Sequence, residues 1–122
     1  MNLSRVLLAV GTAVGLFASG AAAQTPVVIS QVYGGSNVTG SVYNRDYVEL
    51  FNRTGSAVSV AGWSVQYASG SGSVWFKVDL TGTIPAHSYY LVQMTTTGTV
   101  GGSLPTPDDA ASTTVNLAAA AG

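Results

Sequence analysis

Beyond residue 24 the chain nowhere repeats its apolar residues at helical spacing. Short apolar runs alternate with clusters of Gly, Ser and Thr: "VVISQVY", "DYVELFN", "VSV", "WSVQY", "VWFKVDL" and "YYLVQM" are each bounded by turn residues. Many short, evenly spaced strands of this kind build a sandwich or a barrel. The expected strands are Val27 to Tyr33, Asp46 to Asn52, Val58 to Val60, Trp63 to Tyr67, Val74 to Leu80 and Tyr89 to Met94, with Thr113 to Leu117 as a seventh. "TGTIPAHS" reads as a turn and the stretch from Thr95 to Ser112 as a long loop. Strand side chains alternate between faces, so Trp63, Val65 and Tyr67 share one face and Ser64 and Gln66 the other. The expected core is Val48, Leu50, Trp63, Val65 and Tyr67, with Trp63 filling the space between sheets as tryptophan commonly does in a sandwich.

The first residues belong to a different grammar. Arg5 precedes an apolar run from Val6 to Ala18, and small residues follow at Ala21 to Ala23. This is the layout of a secretory signal peptide over 1–23, cut between Ala23 and Gln24. The run is shorter than the ~20 residues of a membrane span, so no transmembrane span is expected after cleavage. The expected location is secreted, periplasmic or cell-surface. One domain then occupies 24–122.

Composition excludes several chemistries. The sequence holds no cysteine, so disulfides and thiolate zinc sites are ruled out. From residue 24 onward the cations are Arg45, Arg53 and Lys77, and the anions Asp46, Glu49, Asp79, Asp108 and Asp109, a net charge of −2. No basic cluster exists to displace counterions from phosphates, so no nucleic-acid partner is expected of this segment.

The residue types that carry chemistry are sparse. Asp46 and Glu49, three apart on a strand, point to opposite faces and do not form an acid–base pair; they read as solvated charges at a strand edge. His87, the single histidine, sits in a turn with neither a thiol nor a "GxSxG" elbow to serve. Asp108 and Asp109 are too few for a calcium site. Asn37 and Asn52 open the sequons "NVT" and "NRT", and Asn52 reads as a turn residue whose side chain bonds nearby backbone. No catalytic residue, cofactor or metal site is expected. The positive signal is aromatic: Tyr33, Tyr43, Tyr47, Trp75 and one of Tyr89 and Tyr90 are candidates for a binding surface, where such side chains are enriched.

Together, "YVELFNRTGSAVSVAGWSVQY" and the later "GTIPAHSYYLVQ" resemble the lamin tail domain in its bacterial secreted form, as do the opening "VVISQVYGG" and the closing "LPTPD" and "NLAAAAG". The resemblance spans Val27 to Gly122. It implies an immunoglobulin-like antiparallel β-sandwich that here lacks its last strand or strands, leaving an unpaired edge and a partly covered face. His87 stands where the family often has glycine. The resemblance implies a non-enzymatic module that mediates binding, with an unidentified protein or cell-surface partner, or that spaces a neighbouring domain. Two other readings are open: the N-terminal fragment of a secreted nuclease- or phosphoesterase-type hydrolase whose catalytic domain is missing, and a carbohydrate-binding or adhesive module.

Overall fold

The computed structural model describes residues 25–117. The expected signal peptide, with its expected cleavage between Ala23 and Gln24, lies outside the described residues. Among the described residues there is no helix, and eight strands form: β1 (Val27–Tyr33), β2 (Tyr47–Asn52), β3 (Val58–Ser59), β4 (Ser64–Tyr67), β5 (Phe76–Asp79), β6 (Thr83–Ile84), β7 (Tyr89–Gln93) and β8 (Asp109–Ala110). The architecture is the all-β, immunoglobulin-like sandwich.

One layer is a four-stranded sheet in the order β1-β2-β7-β8. The other is a single long antiparallel arm in two pieces, β3 with β6 and β4 with β5. Four residues, 60–63, oppose three, 80–82, between the pieces. An extra residue on one strand is a bulge, which bends an arm. The ladder continues across it, with Val60 N donating to the Gly82 carbonyl and Leu80 N to the Trp63 carbonyl. Gly62 at φ 82° makes the bend, a backbone region that suits glycine because it has no Cβ.

Val27, Val48, Leu50, Val60, Val78, Leu80, Ile84, Tyr90, Val92 and Met94 interlock between the layers. "YYLVQM" is apolar on both faces, so alternation alone does not set its phase. Here Tyr90, Val92 and Met94 point inward while Tyr89 and Leu91 take the outer face.

Four expectations need correction. Trp63 is 41% exposed and is not a core tryptophan. It keeps phase with Val65 and Tyr67, which pack partly buried against the core, but it lies at the open side of the sandwich. The facing inner residue of edge strand β1, Ile29, is itself 62% exposed. Ile29, Leu50, Trp63, Val65 and Leu80 therefore line an open apolar cleft. Trp63→Ala is accordingly expected to lower stability by only about 1 kcal/mol, against ~3–5 for a buried aromatic; a denaturation midpoint shifted by the larger amount would place the indole back in the core.

Second, Thr113 to Leu117 is not a strand. Hydrogen bonds from Val115 N to the Met94 carbonyl, from Leu117 N to the Asp46 carboxylate and from Thr96 N to the Thr114 hydroxyl, with the burial of Val115 and Leu117, dock it. Third, β6 and β8 form inside stretches expected to be turn and loop. Fourth, the antiparallel rule fails at one edge, where β8 runs parallel to β7. A parallel return needs a crossover of a dozen or more residues, and the long connection from Met94 to Asp108 supplies it.

Candidate functional site: the outer face of the four-stranded sheet

The outer face is built by a bulge. Val27 and Ile29 of β1 pair with Asn52 and Leu50, which point inward. Unbroken alternation would send Gln31 and Tyr33 inward as well. Ser30 is instead left out of the pairing, and the register shifts between Ile29 and Gln31. One extra residue reverses the phase of everything after it. Gln31 thus pairs with outward Glu49 and Tyr33 with outward Tyr47. Ser30 Oγ fastens the bulge to its neighbour, donating to Glu49 Oε1 at 2.7 Å.

Two rows of side chains result. Gln31, Glu49 and Leu91 run across three strands, and Tyr33, Tyr47 and Gln93 form the next row. Tyr33 and Tyr47 stack with ring centroids 5.4 Å apart. Tyr43, from the loop between β1 and β2, meets both edge-on at 5.8 Å. That loop is folded round the Tyr33 hydroxyl, which donates to the Gly35 carbonyl and accepts from Val42 N and Tyr43 N. Gly101 closes on it from the other side at φ 103°; a Cβ there would lie 2.6 Å from the Tyr43 carbonyl carbon, so only glycine fits. Asn37 Oδ1 accepts from Thr99 N at 3.0 Å and ties the two loops together.

Between the tyrosines and Leu91 lies an open pocket of about 140 Å³, walled by Gln31, Tyr43, Tyr47, Glu49, Leu91 and Pro105. One carboxylate and no cation line it. Burial pushes the Tyr47 hydroxyl above the ordinary tyrosine range, with Tyr43 and then Glu49 adding to the effect. At the far end of the face Phe51 and Tyr89 pair at 4.7 Å. Tyr89 is the exposed member of the Tyr89/Tyr90 pair. Trp75 is exposed but lies away from this face, just before β5.

The remaining candidates are structural. Asp46 and Glu49 do face opposite sides, but Asp46 is not a solvated charge: it is 3% exposed. Its carboxylate accepts from Ser36 N at 3.0 Å and Leu117 N at 2.9 Å. Asn52 is fully buried, so its sequon nitrogen is inaccessible in the folded protein. Asp108 accepts from Leu91 N, and Asp109 from Thr81 N and the Thr81 hydroxyl. These bonds clamp β8 and its loop to the sheet and leave no open carboxylate pair. Among the described residues no group of three or more His, Asp or Glu side chains converges on a metal-sized site. His87 is an exposed turn residue at φ 51°, which explains why glycine suits its position. His87→Gly is expected to gain up to about 1 kcal/mol from relieved backbone strain, measurable by chemical denaturation.

Tyr90 reports on the β8 clamp. Its hydroxyl lies between the Thr81 carbonyl and Asp109 Oδ2. Burial first, then the hydrogen bond to Asp109, pushes its pKa up to about 12. A hydroxyl whose pKa is higher folded than unfolded stabilises fully below pH ~10, and that contribution is lost as pH rises toward 12. Stability is expected to fall by an amount on the order of 2 kcal/mol across that window. Tyr90→Phe should flatten the decline, and an equal decline in the variant would assign it to other groups.

The lamin tail domain family model matches residues 20–122. Searches of curated proteins and of solved structures return no match. With the immunoglobulin-like sandwich already in place and the family match spanning the whole of it, the chain belongs to the lamin tail domain family.

Proposed function

We propose that this protein is an exported, non-enzymatic lamin tail module of the bacterial secreted type. Its task is to bind a protein or cell-surface partner through the outer face of the four-stranded sheet. The family is immunoglobulin-like and generally non-enzymatic, which supports the class. The observation that carries the surface is the convergence of Tyr33, Tyr43 and Tyr47 beside a pocket holding Glu49 and Gln31. Tyr33 and Tyr43 keep partly exposed rings, side chains that give large contact area at low entropic cost, and the bulge at Ser30 is what turns Gln31 and Tyr33 outward.

The test uses the exported protein and its Tyr43→Ser variant, compared for retention on the surface fraction of the producing cells. Retention should fall at least about tenfold for a residue central to an interface, while Trp75→Ser, away from the face, retains binding. Equal retention of all three proteins would remove the outer face from the reading. N-terminal sequencing of the exported chain should begin at Gln24, and intact Met1 would overturn export. Phosphodiesterase, nuclease and esterase assays with Mg²⁺, Ca²⁺ or Zn²⁺ should read at background; turnover that depends on His87 would replace the module with an enzyme.

A further inference from the structure

We infer that the pocket beside Glu49 receives an arginine side chain of the partner polypeptide; this assignment rests on the outer-face reading above. Three features of the pocket select a cation. It is lined by one carboxylate and no positive group. Ser30, the hydroxyl donor to Glu49 Oε1, is neutral and leaves the charge of the carboxylate in place. The partly exposed ring of Tyr43 stands beside it, and an aromatic ring attracts a cation through its electron-rich face.

The cations on the described part of the chain do not compete. Arg45 donates to the Asn44 and Gly98 carbonyls, and Lys77 pairs with Asp79 at 2.9 Å. None of the three, Arg45, Arg53 and Lys77, lines the pocket.

The shape selects a side chain in preference to a sugar. At about 140 Å³ the pocket is close in size to a cavity of ~150 Å³ that accepts one benzene-sized group, enough for the end of one long side chain. The tyrosines do not form a flat platform for a pyranose ring. Tyr43 stands at 88° to Tyr33 and 78° to Tyr47, and Tyr47 is buried beneath its neighbours.

A guanidinium suits the site better than an ammonium. It is planar, stacks on aromatic faces and engages a carboxylate through two parallel N–H donors. Gln31, on the same row as Glu49, offers an amide oxygen as a further acceptor. Leu91 and Pro105 cover the aliphatic stem, as apolar surface does for long cationic side chains.

The test titrates the exported, ¹⁵N-labelled protein with the peptide Gly-Gly-Arg-Gly-Gly. A second peptide carries citrulline, which keeps the shape of arginine and removes its charge. The arginine peptide should shift the amide resonances of Gln31, Glu49 and Leu91 and bind at least about tenfold more tightly than the citrulline peptide, the ratio expected of a charge-assisted hydrogen bond. Glu49→Gln retains an acceptor for Ser30 and should abolish the difference between the peptides. The comparison of the two peptides on the unsubstituted protein stands even if that variant folds poorly. Equal affinity for arginine and citrulline overturns the assignment. Shifts at the same resonances caused by an oligosaccharide and not by the arginine peptide overturn it too, while leaving the outer face as the binding surface. No shift with either peptide or with the oligosaccharide overturns both readings.

Discussion

Asn52→Asp is expected to destabilise the protein by about 3–5 kcal/mol, the range for an uncompensated buried charge. The side chain of Asn52 is fully buried at the end of β2. Its amide nitrogen faces three carbonyl oxygens, of Ser56 at 2.8 Å, Pro85 at 2.9 Å and Ile84 at 3.1 Å. Its amide oxygen accepts from Thr54 N and the Thr54 hydroxyl. One residue thus closes the turn after β2 and fastens it to the β6 end of the opposite layer. Aspartate has the same shape but would set an acceptor against those three carbonyls. Net stability of a small domain is about 5–15 kcal/mol, so this variant should sit near the edge of folding. Asn52→Ala leaves the same carbonyls without their donor and should lose about 1–3 kcal/mol. Chemical denaturation of both variants decides the matter. A change below 1 kcal/mol for the aspartate would show that the layers do not depend on this amide.

Asp46→Ala is expected to lower stability by about 3 kcal/mol, because one buried and one part-buried N–H donor lose their acceptor and a buried donor so orphaned costs roughly 1–3 kcal/mol. The two donors, Ser36 N and Leu117 N, lie far apart in sequence. Their shared acceptor joins the loop after β1 to the segment that follows β8. Asp46 N, in turn, donates to the buried Thr95 hydroxyl. Hydrogen exchange gives a local readout that global stability does not: the amides of Ser36 and Leu117 should lose protection together in the variant. Asp46→Asn keeps one acceptor and presents a donor to the other N–H, so its loss should be smaller. Unchanged protection at Leu117 would contradict the hub assignment.

The candidate site was legible as a set of residue types and illegible as an arrangement. Tyr33, Tyr43 and Tyr47 are identifiable from the sequence as possible contact residues, but nothing in "VVISQVY" marks Ser30 as the residue left out of pairing. The signal that could have found it lies across the sheet, in the inward positions that β2 presents to β1. Asp46 was misread for a related reason. An aspartate at the start of a strand is ordinarily solvated, and its burial follows from Leu117, 71 residues away. Asn52 was recognisable as a turn residue from "NRTGS", because its bonds to Thr54 and Ser56 are local. Its bonds to Ile84 and Pro85 were not.

The sequence by itself determined that the chain is all-β, where most strands run, and that no thiol chemistry is available. Those properties follow from alternation, turn residues and composition within a few neighbours of each position. It also carried the family, because "YVELFN" and "AGWS" keep their local spacing. Only the tertiary structure decided which side of the sandwich stays open, and so why Trp63 is exposed while Val65, in the same phase, packs against the core. Only it placed β8 parallel to β7 and turned Gln31 and Tyr33 outward beside Glu49. The physical reason is that a strand's pattern states that it has two faces, whereas the partner's register, a single bulge and the reach of the opposite layer decide which face meets protein and which meets water.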